Sequence, residues 1–92
     1  MASPVSDAKA FEAWAASALR RPTADGAGKR AAGIKQVPWQ DEPEGVHILA
    51  AERHIARYWA GQSYDHDSGA HTLVHAAWRL LAVAYQEEHG YG

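Results

Sequence analysis

The densest group of side chains capable of chemistry lies in the stretch SYDHDSGAHTLVH, which runs from Ser63 to His75. Asp65 and Asp67 offer two nearby carboxylates, and hard oxygen ligands of this kind suit Mg²⁺ or Mn²⁺. His71 and His75 are four residues apart, so on a helix they share one face and can bind a single metal ion. The stretch therefore predicts a metal site, with Mg²⁺ or Mn²⁺ as its cofactor.

A phosphate site is the second chemistry that this stretch favours. Asp67 or Ser68 is a suitable N-cap for a helix that begins near Gly69, and the first turn of a helix offers unpaired N–H groups and a positive dipole end. We expect His54 to approach this helix start from the preceding helix. A second interpretation stays open, because Asp and Ser are also typical of plain helix caps, and histidine pairs arise by chance in a chain with six histidines.

Three helices are predicted to position these side chains. Apolar periodicity, prolines at helix starts and glycines after helix ends place the helices at residues 4–20, 43–60 and 69–88. The segment 21–42 is rich in glycine and proline, which predicts a loop or linker. The second and third helices are expected to form a central antiparallel hairpin. Because no strand of convincing length is present, the predicted fold class is all-α.

The composition predicts one small domain, residues 1–92, that completes its core by oligomerisation. Twenty alanines favour helix but bury little apolar surface, and Leu, Ile, Val and Phe together number only fourteen. A chain of this length buries little more than ~60% of its unfolded surface. We therefore expect a homo-oligomer, in which a second copy covers the apolar face of the hairpin.

The charge and hydropathy of the chain argue against several classes of partner. A net charge of −2 gives no electrostatic footprint for binding the backbone of a nucleic acid. The sequence has no apolar run of the length of a membrane span and no signal-peptide pattern. It has no cysteine, which is consistent with a reducing compartment. The expected location is the cytoplasm, or the host-cell cytoplasm if a phage encodes the chain.

The second and third predicted helices carry a family resemblance in the stretch HILAAERHIARYWAGQSYDHDSGAHTLVHAAWRLLAVAYQE. This stretch resembles a small helical family of phage and bacterial proteins catalogued as dATP/dGTP diphosphohydrolase, N-terminal domain. The resemblance covers roughly residues 33–88. The matching residues are Arg53, His54, Trp59, Gly61, Asp65, Asp67, Ser68, Gly69, His71, Leu73, His75 and Ala76.

The resemblance implies metal-dependent hydrolysis of a purine deoxynucleoside triphosphate to its monophosphate and pyrophosphate. Under this hypothesis the Asp65 and Asp67 carboxylates are metal ligands. Three histidines are the candidate catalytic groups, and four further residues are the candidate nucleotide-binding groups. The catalytic set is His54, His71 and His75, and the nucleotide-binding set is Arg53, Ser68, Gly69 and Arg79.

Two other hypotheses stay open at this point. All-α nucleotide pyrophosphohydrolases of the MazG type hold Mg²⁺ with helical Glu-x-x-Glu and Glu-x-x-Asp pairs, and the second and third helices lack such pairs. The chain is therefore also consistent with a non-catalytic binder of a small nucleotide, such as a phage counter-defence sponge. The third hypothesis is an oligomeric helical interaction module in which the polar stretch is only a cap.

Overall fold

The structure, a computed structural model, describes the backbone of residues 4–35 and 37–90. This part of the chain contains four α-helices: α1 (Pro4–Ala18), α2 (Arg20–Ala31), α3 (Glu44–Trp59) and α4 (Thr72–His89). A 3₁₀ turn, Trp39–Asp41, precedes α3, and the one β-type pairing in these ranges is an isolated bridge between Tyr64 and His71. The all-α prediction is confirmed. None of these four helices has the length and apolar character that crossing a membrane requires.

The helices α3 and α4 pack as the predicted antiparallel hairpin. His47, near the start of α3, lies beside Trp78 in the middle of α4, whereas His54 in α3 stacks on His75 near the start of α4. The bounds of α3 agree with the predicted span 43–60 to within one residue at each end. Gly61 follows α3 with a φ of 101°, and a left-handed residue at this position is a common helix terminator.

The helix α4 begins three residues later than the predicted start at Gly69. The preceding loop closes on itself, because the N–H of Asp65 donates to the carbonyl of Ala70 at 2.8 Å and the N–H of Gly69 donates to the carbonyl of Asp65 at 2.9 Å. Gly69 has a φ of 72°, and a Cβ there would lie 3.2 Å from the Arg21 guanidinium. Glycine is therefore required at this turn.

The interface between α3 and α4 is narrow and unusually polar. Its fully or nearly buried apolar residues are all alanines: Ala50, Ala51, Ala70, Ala76 and Ala82. The largest fully buried side chains are His47, Gln86 and Thr72. The amide nitrogen of Gln86 donates to the carbonyls of residues 39, 40 and 42 at 2.8–3.3 Å, which fastens the 3₁₀ turn to α4. The Thr72 hydroxyl donates to the carbonyl of residue 62 at 2.7 Å.

The prediction that segment 21–42 is a loop is wrong for its first half, which belongs to α2. Pro22 is the third residue of α2, where backbone N–H groups have no intrahelical partner, so proline ends α1 near Leu19 but fits the start of a new helix. Lys29 pairs with Asp25 at 3.1 Å across one helical turn. The indole N–H of Trp78 donates to the Thr23 hydroxyl at 2.9 Å. These contacts with the hairpin offset the low helix propensity of the glycines.

Four of the large apolar side chains that are exposed on the hairpin define what we call the apolar face. Ile55 and Trp59 are one turn apart on α3 and are 37% and 80% exposed; Leu73 and Leu80 are two turns apart on α4 and are 37% and 46% exposed. Exposed apolar surface on this scale typically marks a protein interface. Homo-oligomerisation therefore remains a prediction, with the apolar face as its interface.

We expect the purified chain to sediment as a dimer or larger oligomer at micromolar concentration. Leu80→Glu places a charge in the apolar face, so it should shift the species to a monomer. Leu49→Glu is the matched control, because Leu49 is 56% exposed and lies on a different side of α3. Analytical ultracentrifugation distinguishes the outcomes, and a wild-type chain that sediments as a monomer contradicts the prediction.

Candidate functional site

A cavity of about 220 Å³ lies between α2, α3, α4 and the 3₁₀ turn. We call it the charged cavity, because the described residues that line it include five cationic groups and four carboxylates. Two histidines and two tryptophans also contribute to its walls. The cationic residues are Lys29, Arg30, Lys35, Arg57 and Arg79; the acidic residues are Asp25, Glu42, Asp65 and Asp67; the rings belong to His54, His75, Trp39 and Trp78.

Arg79 forms the inner wall of the charged cavity. Its Nη1 donates to the Glu42 carboxylate at 3.2 Å and to Nδ1 of His47 at 2.9 Å. Since His47 accepts at Nδ1, its proton is on Nε2, which donates to the Trp39 carbonyl at 2.9 Å. This chain of contacts fixes the Arg79 guanidinium at the cavity wall and holds the backbone of Trp39 against the hairpin.

His54 and His75 form a stacked pair that faces the charged cavity. Their ring centroids are 4.9 Å apart and the rings are tilted by 21°. Burial, followed by the charges of His75 and Arg57, lowers the pKa of His54 from 6.5 to about 4. Burial also lowers the pKa of His75. Both imidazoles are therefore neutral at pH 7, and Nδ1 of His54 is buried without a hydrogen-bond partner among the described residues.

Ser68 acts behind the histidine pair and not in the charged cavity. Its hydroxyl lies 2.6 Å from Nε2 of His75 and accepts the N–H of Ala70 at 3.1 Å. Because that hydroxyl already accepts the Ala70 N–H, it is free to donate to the neutral imidazole. Ser68 does not line the cavity. Ser68 therefore orients the His75 ring and does not face the cavity.

The carboxylate of Asp65 combines a structural role with access to the charged cavity. Its Oδ1 accepts the backbone N–H groups of Asp67 and Ser68 at 3.0 and 2.9 Å. Burial on its own raises the pKa of Asp65, but the Ser68 N–H, His75 and the Asp67 N–H together outweigh burial, and the net shift is downward. The group is ionised at neutral pH. Asp67 lines the same cavity and is exposed.

The charged cavity has more positive groups than its own carboxylates neutralise. Asp25 and Glu42 are already paired with Lys29 and Arg79. Arg30, Arg57 and Lys35 have no ion-pair partner within residues 4–35 and 37–90. Burial, followed by the nearby charge of Arg79, lowers the pKa of Lys35. Because its lining has five cationic groups and four carboxylates, the charged cavity has one positive charge in excess, which an anionic ligand would neutralise.

Five of the nine site residues proposed from the sequence meet at the charged cavity: His54, His75, Asp65, Asp67 and Arg79. Four do not line it. Ser68 lies behind His75, and Arg53 is exposed on α3 outside the cavity. Gly69 and His71 line a separate depression beside α1, together with Trp14 and Arg21.

His71 was expected to share a helix face with His75. In the structure, the imidazole next to His75 is that of His54 instead. His71 precedes α4 as its N-cap, and its Nδ1 accepts the N–H of Leu73 at 3.1 Å. Its ring packs edge-on against Tyr64, with centroids 5.2 Å apart. The i, i+4 argument fails because His71 has an extended ψ of 137° and lies outside the helix.

The predicted phosphate site at the start of α4 is also not available. The N–H of Thr72 donates to the carbonyl of Ser63 at 2.8 Å, and the N–H groups of Val74 and His75 donate to the carbonyl of His71. With the cap to Leu73, the first turn of α4 has no N–H left for an anion. A phosphate group bound near this helix would therefore have to be recognised by side chains.

Sequence reasoning missed the cations that α2, α3 and the following segment bring to the charged cavity. Arg57 is three residues from His54, so helical spacing alone places it on nearly the same side of α3. Lys29, Arg30 and Lys35 are close together in the sequence, but they belong to the segment that was predicted to be a loop, so no common helix face could be assigned to them. The i, i+4 spacing of Asp25 and Lys29 was the available signal for a helix there.

The donor groups at the charged cavity suit a metal ion that arrives with phosphates. Within the described ranges, no three His, Asp or Glu side chains are grouped so that they could hold a metal by themselves. Mg²⁺, however, is commonly bound by one or two carboxylates together with substrate phosphates. Asp67 and the Oδ2 atom of Asp65, which carries none of the loop hydrogen bonds, are the donors that fit this pattern.

We expect the free energy of unfolding to fall as the pH is lowered from 7 to 5. An unfolded imidazole binds a proton near pH 6.5, whereas folded His54 does so only near pH 4, so acid favours the unfolded chain between these values. The loss attributable to His54 at pH 5 is about 2 kcal/mol or less. Urea unfolding of the wild type and of His54→Gln at both pH values measures it.

His66→Gln is the control for this experiment, because His66 is exposed. His54→Gln should flatten the pH dependence, and His66→Gln should preserve it. An equal loss of stability in the wild type and in His54→Gln would mean that His54 is not the neutral, buried group described above.

Comparison with known proteins identifies the family of this chain. The family model described as dATP/dGTP diphosphohydrolase, N-terminal, matches residues 9–92. No curated protein and no solved structure matches the chain. The matched span contains α2, α3 and α4, and with them every residue that lines the charged cavity. The chain belongs to the dATP/dGTP diphosphohydrolase N-terminal family.

Proposed function

We propose that this domain binds a purine deoxynucleoside triphosphate by its phosphates in the charged cavity and hydrolyses it to the monophosphate and pyrophosphate. The observation that carries the proposal is the cluster of cations without ion-pair partners, Arg30, Arg57 and Lys35, beside the wall formed by Arg79. Guanidinium groups match phosphate oxygens in bidentate geometry. The family description supports the choice of substrate class.

The reaction requires a water oxygen to bond to the α-phosphorus while the bond from that phosphorus to the bridging α–β oxygen breaks. Pyrophosphate leaves with the bond's electron pair, and the water proton needs an acceptor. His54 is neutral at pH 7 and faces the cavity, so it has a lone pair for that proton. The negative charge of a bound triphosphate raises the pKa of His54 and thereby strengthens it as a base.

Asp67 and Asp65 are the residues that would hold a divalent cation here. When bound, Mg²⁺ or Mn²⁺ neutralises charge that develops on the phosphate oxygens. Arg57 on α3 and Arg30 on α2 also line the cavity and would stabilise the same charge. His75, oriented by Ser68, keeps the His54 ring in place through the stacking contact.

A second candidate function is nucleotide binding without cleavage. It is favoured by one observation: the described residues offer two carboxylates for a metal ion but no group of three donors. The charged cavity then acts as a receptor for the same ligands. Both functions predict that the nucleotide binds, but only the first predicts that it is hydrolysed. One experiment that measures binding and hydrolysis therefore separates them.

The test incubates the purified chain with dATP, dGTP, dCTP or dTTP in Mg²⁺ or Mn²⁺ and follows monophosphate and pyrophosphate by chromatography. We expect turnover of the purine nucleotides, and loss of that turnover in His54→Ala. Binding without turnover under all conditions supports the receptor function instead. Absence of both binding and turnover contradicts the proposal.

Arg57→Ala and Arg53→Ala form the matched pair for the binding site. Both remove one arginine from α3, but only Arg57 lines the charged cavity. Loss of one charge-assisted contact should weaken dGTP binding about 10- to 100-fold for Arg57→Ala. Arg53→Ala should bind like the wild type. Isothermal titration calorimetry measures both, and an equal loss in the two variants would place the phosphates elsewhere.

A further inference from the structure

We infer that the purine base of the nucleotide occupies an aromatic groove that adjoins the charged cavity. This inference rests on the proposed function, because it assigns a position to the base of the same nucleotide whose phosphates bind in the charged cavity. We define the aromatic groove by the residues that line it and carry the argument: Leu19, Thr23, Trp39, Trp78, Leu81 and Tyr85.

The aromatic groove and the charged cavity adjoin each other. Thr23, Trp39 and Trp78 line both, so the two spaces share one wall. The Thr23 hydroxyl and the Trp78 indole are joined by a hydrogen bond of 2.9 Å, which fixes this wall between α2 and α4. A nucleotide with its phosphates beside Arg57 and Arg79 would place its base in the groove by extending across this wall.

The walls of the aromatic groove suit a flat heteroaromatic ring. Trp39 packs edge-on against Trp78 and against Tyr85, with centroid distances of 5.5 Å in both pairs. Leu81 adds an aliphatic side chain that is 54% exposed. Stacking on aromatic side chains is the sequence-tolerant way in which proteins bind nucleic-acid bases. A groove of this chemistry beside a phosphate site matches the two halves of a nucleotide.

The Thr23 hydroxyl and the Trp78 indole N–H at the shared wall are already paired, so neither is available to bind the edge of a base. The Thr23 hydroxyl donates to the carbonyl of Leu19 at 3.0 Å and accepts the indole N–H of Trp78. Strong discrimination between bases requires hydrogen bonds to their edges. Stacking instead rewards ring area, so purines are bound more tightly than pyrimidines, and dATP and dGTP are bound about equally.

The test compares α,β-imido analogues of the four deoxynucleoside triphosphates with inorganic tripolyphosphate, all by calorimetry in Mg²⁺. We expect the two purine analogues to bind at least about fivefold more tightly than the pyrimidine analogues and tripolyphosphate. Tyr85→Leu should weaken the purine analogues about tenfold and leave tripolyphosphate unchanged, because Tyr85 lines the groove and does not line the charged cavity. Trp14→Leu, which changes an exposed tryptophan on α1 outside the groove, is the control and should change neither.

Leu81→Ser is the second groove variant, because Leu81 is exposed and lines the groove without lining the charged cavity. It adds no charge, so it should weaken the purine analogues selectively. If tripolyphosphate binds as tightly as the purine analogues, or if both groove variants weaken all ligands equally, the base assignment is overturned while the phosphate site stands. If neither tripolyphosphate nor any analogue binds, the proposed function fails first, and the two failures are thereby distinguished.

Discussion

The contact on which this structure depends is the shared guanidinium of Arg79, held between the Glu42 carboxylate and the imidazole of His47. All three groups are largely or fully removed from water. Removing one partner of such a buried set leaves an uncompensated polar group, which typically costs about 3–5 kcal/mol. The same contact sets the His47 tautomer and, through the Trp39 carbonyl, the position of the tryptophan that borders both the charged cavity and the aromatic groove.

The alanine-rich interface explains why the functional groups lie at the surface of the hairpin. Short side chains such as Ala50 and Ala76 let α3 and α4 approach closely, and hydrogen bonds from Gln86 and Thr72 then satisfy the backbone at the two ends. Several larger side chains lie outside this interface, such as Leu80 on the apolar face and Arg57 at the charged cavity. Helix α2 completes the cavity because it carries its cations across the hairpin and is fixed there by Trp78.

The sequence was sufficient for the parts of the fold that depend on local pattern. The span of α3, the end of α4, the hairpin and the terminating Gly61 all follow from periodicity and helix-end signals. The start of α4 was misjudged because the loop hydrogen bonds of Asp65 and the N-cap formed by His71 depend on the folded turn. For α2, contacts with the hairpin outweighed the unfavourable propensity of its glycines, and no local pattern contains those contacts.

The residues of the candidate site likewise fall into those that the sequence predicted and those that depend on contacts in the folded chain. His54, His75, Asp65, Asp67 and Arg79 were expected from residue type and spacing, and they do meet at one cavity. Most of the cations were missed, because their position depends on α2. The proposed phosphate site, formed by side chains of α2, α3 and α4, therefore differs in both place and chemistry from the one that the sequence predicts at the start of α4.

The most direct test of this account is an NMR titration of the ¹⁵N-labelled chain with tripolyphosphate. We expect chemical-shift changes in residues 23–30, 54–57 and 75–79, including the arginine side-chain signals of the cavity. We expect little change at Gly69–Val74, where the first-turn N–H groups of α4 are engaged within the protein. Changes concentrated at Gly69–Val74 would contradict the account and return the phosphate site to the start of α4.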